Sequence, residues 1–287
     1  MSIFIGNQLY SKIYLGNNQV KNIYRGNQLY YSLSSYTAEA QALFTRMAEQ
    51  PTDELKNLID KTIVDLKAAG IWQALDYLYF MNVHTQQAST LNWIKDEHNI
   101  LVVNSKPWTI YNGFASGGYL RTQFNPAVNG QNFTQNNSVF GIRSNARNPI
   151  GVNYEWHGAY NQTNINLRMN LNYKMNAARY YRSYRSLNSV ITYVVLPNDF
   201  GLIQVCRDNS LNFQDCVDGG TFRKVSLGAT GVIDLELFLG CTNLGGAPNF
   251  YNGDTLTNSY AGGFLNQEQS TIMAGILNYF ETTVKAL

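Results

Sequence analysis

The chain has 287 residues, a formal net charge of +2 and only 14% charged residues, which excludes attachment to nucleic acid or an anionic membrane through a strong overall field. Its 20 tyrosines, 14 phenylalanines and 23 glycines are typical of turn-rich β structure. We recognise no run of 18 apolar residues and no signal peptide, so we expect neither a membrane span nor export.

A ten-residue motif recurs three times within residues 1–35. Each unit begins with an isoleucine followed by an aromatic residue, and a Gly-Asn pair follows at the same offset, at Gly6, Gly16 and Gly26. Gly-Asn accepts positive φ and suits a tight turn, so each unit is predicted to be a short β-hairpin. A lone hairpin buries little surface. We therefore predict that this segment anchors and trimerises the chain. The candidate subunit contacts are Ile3, Tyr14, Ile23 and Tyr24.

Two amphipathic helices are predicted between residues 36 and 72. Apolar positions recur at three- and four-residue spacing from Ala40 to Met47 and again from Leu55 to Leu66, which is the pattern of one helix face. Two helices of this length do not make a domain. Residues 36–72 are therefore interpreted as a helical connector that covers part of the following sheet.

Short β-prone runs separated by Gly, Asn and Pro fill the chain from residue 71 to residue 261. The clearest are residues 100–104, 138–144, 164–173, 189–196, 201–207 and 232–240. Many short strands without intervening helices favour an antiparallel sandwich or barrel. A closing helix is predicted over residues 267–287, because apolar side chains recur on one face from Ile272 to Leu287.

Several segments resemble one family of phage proteins. Residues 118–126 read GYLRTQFNP, residues 70–72 read GIW after a helix, and the chain closes with YFETTVKAL. In these motifs the chain resembles phage virion proteins, crAss-like tailed-phage proteins among them, whose main domain is a concanavalin-like (laminin-G-like) jelly roll. The opening repeat also resembles the Ile-Tyr-x-Gly start of structural proteins from such phages.

The resemblance implies a mainly β protein in three parts: an N-terminal β-repeat segment at residues 1–35, a helical connector at 36–72, and an antiparallel jelly-roll sandwich with a closing helix at 73–287. It implies a structural fibre of the virion, assembled in the host cytoplasm. Residues 1–35 would attach a homotrimer to other virion proteins, and the jelly roll would adhere to host-surface or mucosal glycans. We favour a head fibre over a tail fibre because the chain is short.

No catalytic motif is recognisable in the sequence. Glu155, Trp156 and His157 bring together a carboxylate, an aromatic ring and an imidazole. Alternation along a strand puts Glu155 and His157 on one face, and we interpret these two as a hydrogen-bonded pair on a sandwich face. Glycan hydrolysis needs two carboxylates across a groove, and no such pair is marked. We therefore predict that the protein is not an enzyme. The alternative is a tail-borne glycan-degrading enzyme on the same fold, and a host-surface lectin is a weaker third hypothesis.

Oxygen and sulfur ligands for a metal are present but poorly spaced. Three acids close together in sequence could hold a structural calcium ion, but their spacing is not that of an EF-hand, so a polar hairpin loop is favoured and no cofactor is expected. These acids are Asp208, Asp215 and Asp218. The three cysteines lack zinc-site spacing and are expected to be reduced, with a disulfide between the first two left open. They are Cys206, Cys216 and Cys241.

Two sets of residues are candidates for binding. Residues 177–186 interleave arginines with tyrosines, which suits stacking on single-stranded nucleic acid, contact with sugars, or a subunit interface. The near-neutral chain favours a subunit contact through Arg179, Arg182 and Arg185, and no nucleic acid is expected. A sugar-binding jelly roll would present aromatic rings among amides, although a tryptophan is more often in the core. The candidate glycan-facing residues are Trp93, Trp108, Trp156, Asn249 and Tyr251.

Overall fold

In a computed structural model, the chain divides into two units, Met1–Ala38 and Glu39–Leu287. The structure describes residues 36–115, 117–146, 154–160, 168–176, 178–185, 194–195, 201–226, 228, 231–249, 251 and 254–287, together with strand segments between residues 3 and 32. Side chains are described at these positions except for residues 3–32, 146, 154–157, 160 and 168–195. The predicted division of the chain into three parts stays a prediction.

The first unit contains two-stranded antiparallel hairpins, one for each unit of the repeat. They pair β1 (Ile3–Ile5) with β2 (Gln8–Tyr10), β3 (Tyr14–Leu15) with β4 (Asn18–Gln19), and β5 (Asn22–Arg25) with β6 (Gln28–Ser32). The strands fall on either side of the Gly-Asn pairs, as the turn preference of that dipeptide requires. The predicted β-repeat segment is therefore confirmed, whereas the turns themselves lie outside the described residues.

The helices begin where the sequence supplies capping groups. They are α1 (Ala38–Arg46), α2 (Asp53–Ala68), α3 (Gln86–Ser89), α4 (Pro126–Asn129) and α5 (Gln267–Val284), with a 3-10 turn at Trp72–Ala74. The Thr52 hydroxyl caps α2 by accepting the Leu55 amide at 3.3 Å, and Asn266 and Gln269 form a reciprocal capping box on α5. None of the described helices combines the length and apolarity needed to cross a bilayer.

The strands of the second unit form two sheets. In chain order they are β7 (Leu75–Phe80), β8 (Leu101–Val103), β9 (Trp108–Thr109), β10 (Gly113–Phe114), β11 (Tyr119–Arg121), β12 (Ser138–Ala146), β13 (Tyr154–Tyr160), β14 (Arg168–Asn176), β15 (Ala178–Arg185), β16 (Val194–Val195), β17 (Gly201–Arg207), β18 (Asn212–Val217), β19 (Arg223–Ser226), β20 (Phe238–Leu239), β21 (Thr242–Leu244), β22 (Ala247–Asn249) and β23 (Thr255–Gly262). The first sheet has the order β19-β18-β17-β12-β23-β10-β9, and β7 also pairs with β23. The second has the order β16-β15-β14-β13-β20-β11-β8, with β21 and β22 attached beside β13.

The main hydrophobic core lies between these two sheets. It contains inward side chains of the first sheet, such as Phe140 and Ile203, and inward side chains of the second, such as Leu120 and Leu239. Neighbouring strands are antiparallel except for β13 with β21, among the described pairs. The predicted mainly β fold, an antiparallel jelly-roll sandwich with a C-terminal helix, is confirmed, and the barrel alternative is not.

Helix α5 covers the outer face of the first sheet. The Phe80 ring of β7 lies 4.4 Å from the Phe280 ring of α5 and stacks on Trp93 at 4.1 Å, measured between centroids. Arg143 of β12 donates from Nε to Glu281 of α5 at 2.7 Å. The first sheet is therefore covered on both faces at β7, which explains why β7 has no exposed side chain, Asp76 included.

One predicted strand is wrong over most of its length. Residues 232–240 were expected to be extended throughout, but strand pairing is confined to Phe238–Leu239. Gln123 has a positive φ of 56°, and its backbone N–H donates to the carboxylate of Glu236 at 2.7 Å. The Leu237 N–H then donates to the Phe124 carbonyl at 2.9 Å, out of the register that pairs Arg121 with Phe238. The regular ladder with β11 therefore stops before it reaches residue 236.

Candidate functional site

The outer face of the second sheet carries polar and aromatic side chains on β11 and β20. Leu120 and Leu239 point into the core between the sheets. Because successive side chains of a strand alternate between faces, Tyr119, Arg121 and Phe238 lie on the opposite, outward side. The two strands are direct neighbours, with Arg121 paired to Phe238.

Tyr251 completes this face. Its ring stands edge-on to Tyr119 at 6.1 Å and 70°, and Tyr119 packs against Phe238 at 5.0 Å. Tyr119 and Phe238 are buried, whereas Tyr251 is 43% exposed. Partial burial raises the pKa of Tyr251, so its hydroxyl is a hydrogen-bond donor at neutral pH. We call the face formed by Tyr119, Arg121, Phe238 and Tyr251 the Tyr251 surface.

Glu236 fixes the orientation of Arg121 on the Tyr251 surface. One carboxylate oxygen of Glu236 accepts hydrogen bonds from Nε and Nη2 of Arg121 at 3.0 and 2.6 Å. This hydrogen-bonded pair raises the pKa of Arg121, and the guanidinium lies 6.0 Å from the Phe238 ring centroid. The Arg121 side chain is 42% exposed. Within the described part of the chain its Nη1 has no partner, so N–H groups remain available at the surface.

A buried lysine lies behind the aromatic rings. Lys106 is 1% exposed, and its Nζ reaches the carbonyl of Gly117 at 3.5 Å. A methyl group added to Gly240 would come within 3.0 Å of that nitrogen, so the amine occupies space that glycine leaves free. Burial lowers the pKa of Lys106 to about 8, although the nearby Cys241 and Asp254 act in the opposite direction.

Two of the predicted glycan-facing tryptophans, Trp93 and Trp108, do not lie on the Tyr251 surface. Trp93 is 2% exposed and packs on the far side of the sandwich, against Phe80 and Phe280, so its ring cannot stack on a sugar. Trp108 is half-buried against the main core, and its indole N–H donates to the Met81 carbonyl at 2.9 Å. Both rings serve packing, as tryptophans in sandwiches usually do.

The other three predicted glycan-facing residues have different outcomes. Asn249 is exposed at the end of β22, and Tyr251 follows it closely in the chain on the Tyr251 surface. Trp156 belongs to β13, beside an irregularity in the pairing with β14 between Glu155 and His157, but its side chain is not among those described. The same holds for the side chains of Glu155 and His157, so their predicted pairing stays a prediction.

The predicted subunit contacts concern side chains outside the described residues. Arg179, Arg182 and Arg185 belong to β15, which pairs with β14 in the second sheet. The candidate contacts of the repeat fall on or beside the N-terminal strands: Ile3, Tyr14, Ile23 and Tyr24. Their role in assembly stays a prediction.

The three acids considered for calcium have separate partners. Asp215 is buried and paired with Arg223, whereas Asp218 accepts the Leu202 amide at 2.7 Å. Asp208 accepts the side-chain amide of its neighbour Asn209. Among the described residues, no three His, Cys, Asp or Glu side chains converge as a metal site would need.

The cysteines are free and buried, as expected for structural thiols. Cys206 lies on β17 and Cys216 on β18, where each is paired in register with a glutamine rather than with the other cysteine. Burial raises the pKa of both thiols, to about 12 for Cys216. They are thus poorly suited to nucleophilic chemistry.

Sequence reasoning missed Arg121, Glu236 and Lys106. Alternation within GYLRTQ could have placed Tyr119 and Arg121 on one strand face. The partner of Arg121 is 115 positions away in the chain, and no local pattern marks it. Lys106 lies in a polar loop sequence, where burial of the amine is unexpected.

Comparisons with known proteins extend only to the fold. No protein-family model matches the chain, and no curated protein matches it. A Trypanosoma rangeli sialidase structure is 12% identical, with a TM-score of 0.50, over 80% of this chain and 40% of that chain. The same sialidase in complex with sialic acid is 14% identical, with a TM-score of 0.48, over 80% of this chain and 40% of that chain. The CBM40 of a Ruminococcus gnavus IT-sialidase, bound to alpha2,3 sialyllactose, is 12% identical, with a TM-score of 0.37, over 49% of this chain and 83% of that chain.

The chain therefore spans about two fifths of the length of the sialidase chains that it matches. At such low identity the similarity is one of architecture, and it places this chain among the mainly β proteins. The carbohydrate ligands belong to those proteins, and the chemistry of the present chain has to be argued from its own residues.

Proposed function

We propose that the sandwich is a carbohydrate-binding domain whose ligand lies on the Tyr251 surface. The observation that carries the proposal is an exposed tyrosine ring, packed edge-on against a buried one, on the same sheet face as a guanidinium with unengaged N–H groups. Sugar rings present apolar C–H faces and hydroxyl edges. Tyr251 offers a rigid face for the first, and Arg121 offers oriented donors for the second.

The proposed role is binding without catalysis. Glu236 is the carboxylate beside Arg121, and it accepts three hydrogen bonds, from Arg121 and from the Gln123 amide. Those bonds orient the guanidinium and leave little capacity for a reacting group. Asp254 is 6% exposed and lies close enough to the buried Lys106 to affect its pKa. The alternative is a glycan-degrading enzyme, which would need a pair of substrate-facing carboxylates.

The binding proposal is tested on immobilised mucin by surface plasmon resonance. Tyr251→Ala removes the ring face and is expected to weaken binding about tenfold. Arg121→Lys keeps the charge but breaks the two-bond pairing with Glu236, so we expect a similar loss. Leu211→Ala, at an exposed apolar side chain in the turn between β17 and β18, is the control and should bind like wild type. Equal binding by all variants would show that the glycan does not bind at the Tyr251 surface.

The test for catalysis uses the same glycans. Released mucin glycans incubated with the protein should keep their original size on gel filtration. Shortened products would favour the enzyme alternative. In that case Glu236→Gln should abolish the shortening if Glu236 is one of the two acids.

At the level of the particle, we propose that the protein is a phage virion fibre, in preference a head fibre, anchored as a homotrimer through residues 1–35. Support comes from the ten-residue repeat, whose three hairpins are each too small to bury a core alone.

Light scattering of the full chain should give the mass of a trimer, and deletion of residues 1–35 should reduce the mass to that of a monomer. Gly16→Val with Gly26→Val should leave the sandwich folded and prevent incorporation into particles. A monomeric full chain, or normal incorporation of that double variant, would contradict this assignment.

A further inference from the structure

A polar cleft lies between α5 and the first sheet, on the opposite side of the sandwich from the Tyr251 surface. Its volume is about 420 Å³, and its walls carry Arg143, Asp218, Thr271 and Asn278. Gly201 and Gly275 also line it, and neither contributes a side chain. The volume is within the range of about 300 to 1,000 Å³ that is usual for small-ligand sites.

A second recess, of about 320 Å³, lies along the next row of α5. Ile272 and Tyr279 line it together with Lys61 of α2, and Gly275 borders this recess as well as the polar cleft. Tyr279 is 48% exposed, and Lys61 Nζ lies 5.7 Å from its ring centroid. Gly275 is thus the position at which an aromatic recess and a polar cleft meet.

Close packing does not explain why residue 275 is a glycine. It lies in the interior of an 18-residue helix, where glycine is less stable than alanine because it gives up more backbone entropy. Close approach of a neighbouring element would explain it, but a methyl group added at Gly275 would meet no neighbouring atom within 4 Å. What the missing side chain does provide is an open passage between the two recesses.

The polar cleft offers donors and acceptors in nearly balanced charge. Arg143 donates to Glu281 at 2.7 Å and to Asn278 at 3.1 Å, and it lies 3.5 Å from Asp218. Lys285 donates to the other carboxylate oxygen of Glu281, at 2.7 Å. With Arg143 and Lys285 set against Asp218 and Glu281, the cleft has no net charge to attract an ion.

Two groups in the cleft are left to bind a ligand. Asp218 is 41% exposed, and its Oδ1 accepts the Leu202 amide, whereas its Oδ2 has no partner within the described residues. Asn278 uses Oδ1 for Arg143, and its Nδ2 is likewise unengaged in that part of the chain. An acceptor beside a donor matches a sugar hydroxyl pair, since each hydroxyl both donates and accepts.

We propose that the polar cleft and the second recess together form one groove, and that this groove is a second carbohydrate site, specific for a neutral oligosaccharide. One sugar ring stacks on Tyr279, and the hydroxyls of the adjoining sugar bind Asp218 and Asn278 in the polar cleft, with the chain of the ligand crossing α5 at Gly275. The proposal does not depend on the Tyr251 surface, because the two sites share no residue.

The test uses four neutral trisaccharides: maltotriose, cellotriose, mannotriose and N,N′,N″-triacetylchitotriose. Each is titrated into the full chain up to ~10 mM and followed by the chemical shifts of backbone amides, since millimolar affinity is common for such ligands. At least one should bind and shift amides of α5. Gly275→Leu fills the passage and should weaken that binding at least about tenfold. The control, Ala42→Leu, adds the same side chain at an exposed position of α1 that lines neither recess, and it should bind like wild type.

Three further variants separate recognition from folding. Asp218→Ala should weaken binding, and Tyr251→Ala should leave it unchanged. Gly275→Ala should raise the melting temperature by about 3 °C, because the methyl enters open space in a helix. The proposal is overturned if no trisaccharide binds, if Gly275→Leu binds like wild type, or if Gly275→Ala lowers the melting temperature, since the glycine would then be structural.

Discussion

Lys106→Met should make the protein more stable at neutral pH. A protonated lysine is costly in an apolar environment unless it is paired, and within the described residues the Nζ of Lys106 has one hydrogen bond, of 3.5 Å, to Gly117. Methionine has a similar length and no charge. The substitution therefore removes the penalty and keeps most of the packing.

The magnitude follows from the pKa of Lys106, which burial lowers from 10.5 to about 8. Each pKa unit corresponds to 1.36 kcal/mol, so the charged amine costs about 3 kcal/mol at pH 7, where both folded and unfolded chains are protonated. Between pH 8 and 10.5 the unfolded chain holds more protons than the folded one, so stability rises with pH. The advantage of the methionine variant should fall below about 1 kcal/mol near pH 10.

The assay is urea unfolding of wild type and Lys106→Met at pH 7 and near pH 10. Lys224→Met, at an exposed lysine of β19, is the control and should show no pH-dependent difference. A stability difference for Lys106→Met that is the same at both pH values would refute the reasoning, because the amine would then not titrate in the folded protein. A destabilised variant at pH 7 would show that the ammonium has a partner worth more than its burial costs.

Two other substitutions test interactions that hold the fold. Asp76→Ala should cost about 3 kcal/mol in urea unfolding, since this buried carboxylate accepts three consecutive backbone amides, the last that of Phe133 at 2.9 Å. A cost below 1 kcal/mol would mean that water replaces the carboxylate. Asn266→Ala removes the capping box of α5 and should cost about 1 kcal/mol, whereas Asn266→Asp should be nearly neutral. Equal loss in both Asn266 variants would show that the cap is not the cause.

The elements that could be predicted from sequence are those with local signals. Helix α5 has a capping residue, Asn266, and an apolar row that continues to Val284, and both can be recognised from residues close together in the sequence. The run 201–207 coincides with β17, because its apolar residues are bounded by a glycine and a polar loop. Periodicity and caps are properties of a few neighbouring residues, so a single sequence reveals them.

The elements that could not be predicted depend on distant partners. Residues 232–240 look like a strand, but the regular ladder ends where Gln123 adopts a positive φ and bonds to Glu236, 113 positions away. The candidate site shows the same division. Tyr251 could be proposed from the sequence because it is an aromatic residue in an Asn-rich loop. The Arg121 guanidinium, by contrast, acquires its orientation only when β11 and β20 are paired.

The position of β23 in the first sheet has a consequence for biosynthesis. This strand lies between β7 and β12: its Ser259 pairs with Tyr79 of β7, and its Tyr260 pairs with Gly141 of β12. Pairings that span so much of the chain make folding slow, and until they form, two hydrophobic strands keep open edges. A nascent chain cannot close its sandwich before residues 255–262 have been synthesised. Recovery of soluble protein should therefore depend on chaperone capacity during translation, and a ribosome stalled upstream of residue 255 would release an aggregation-prone product.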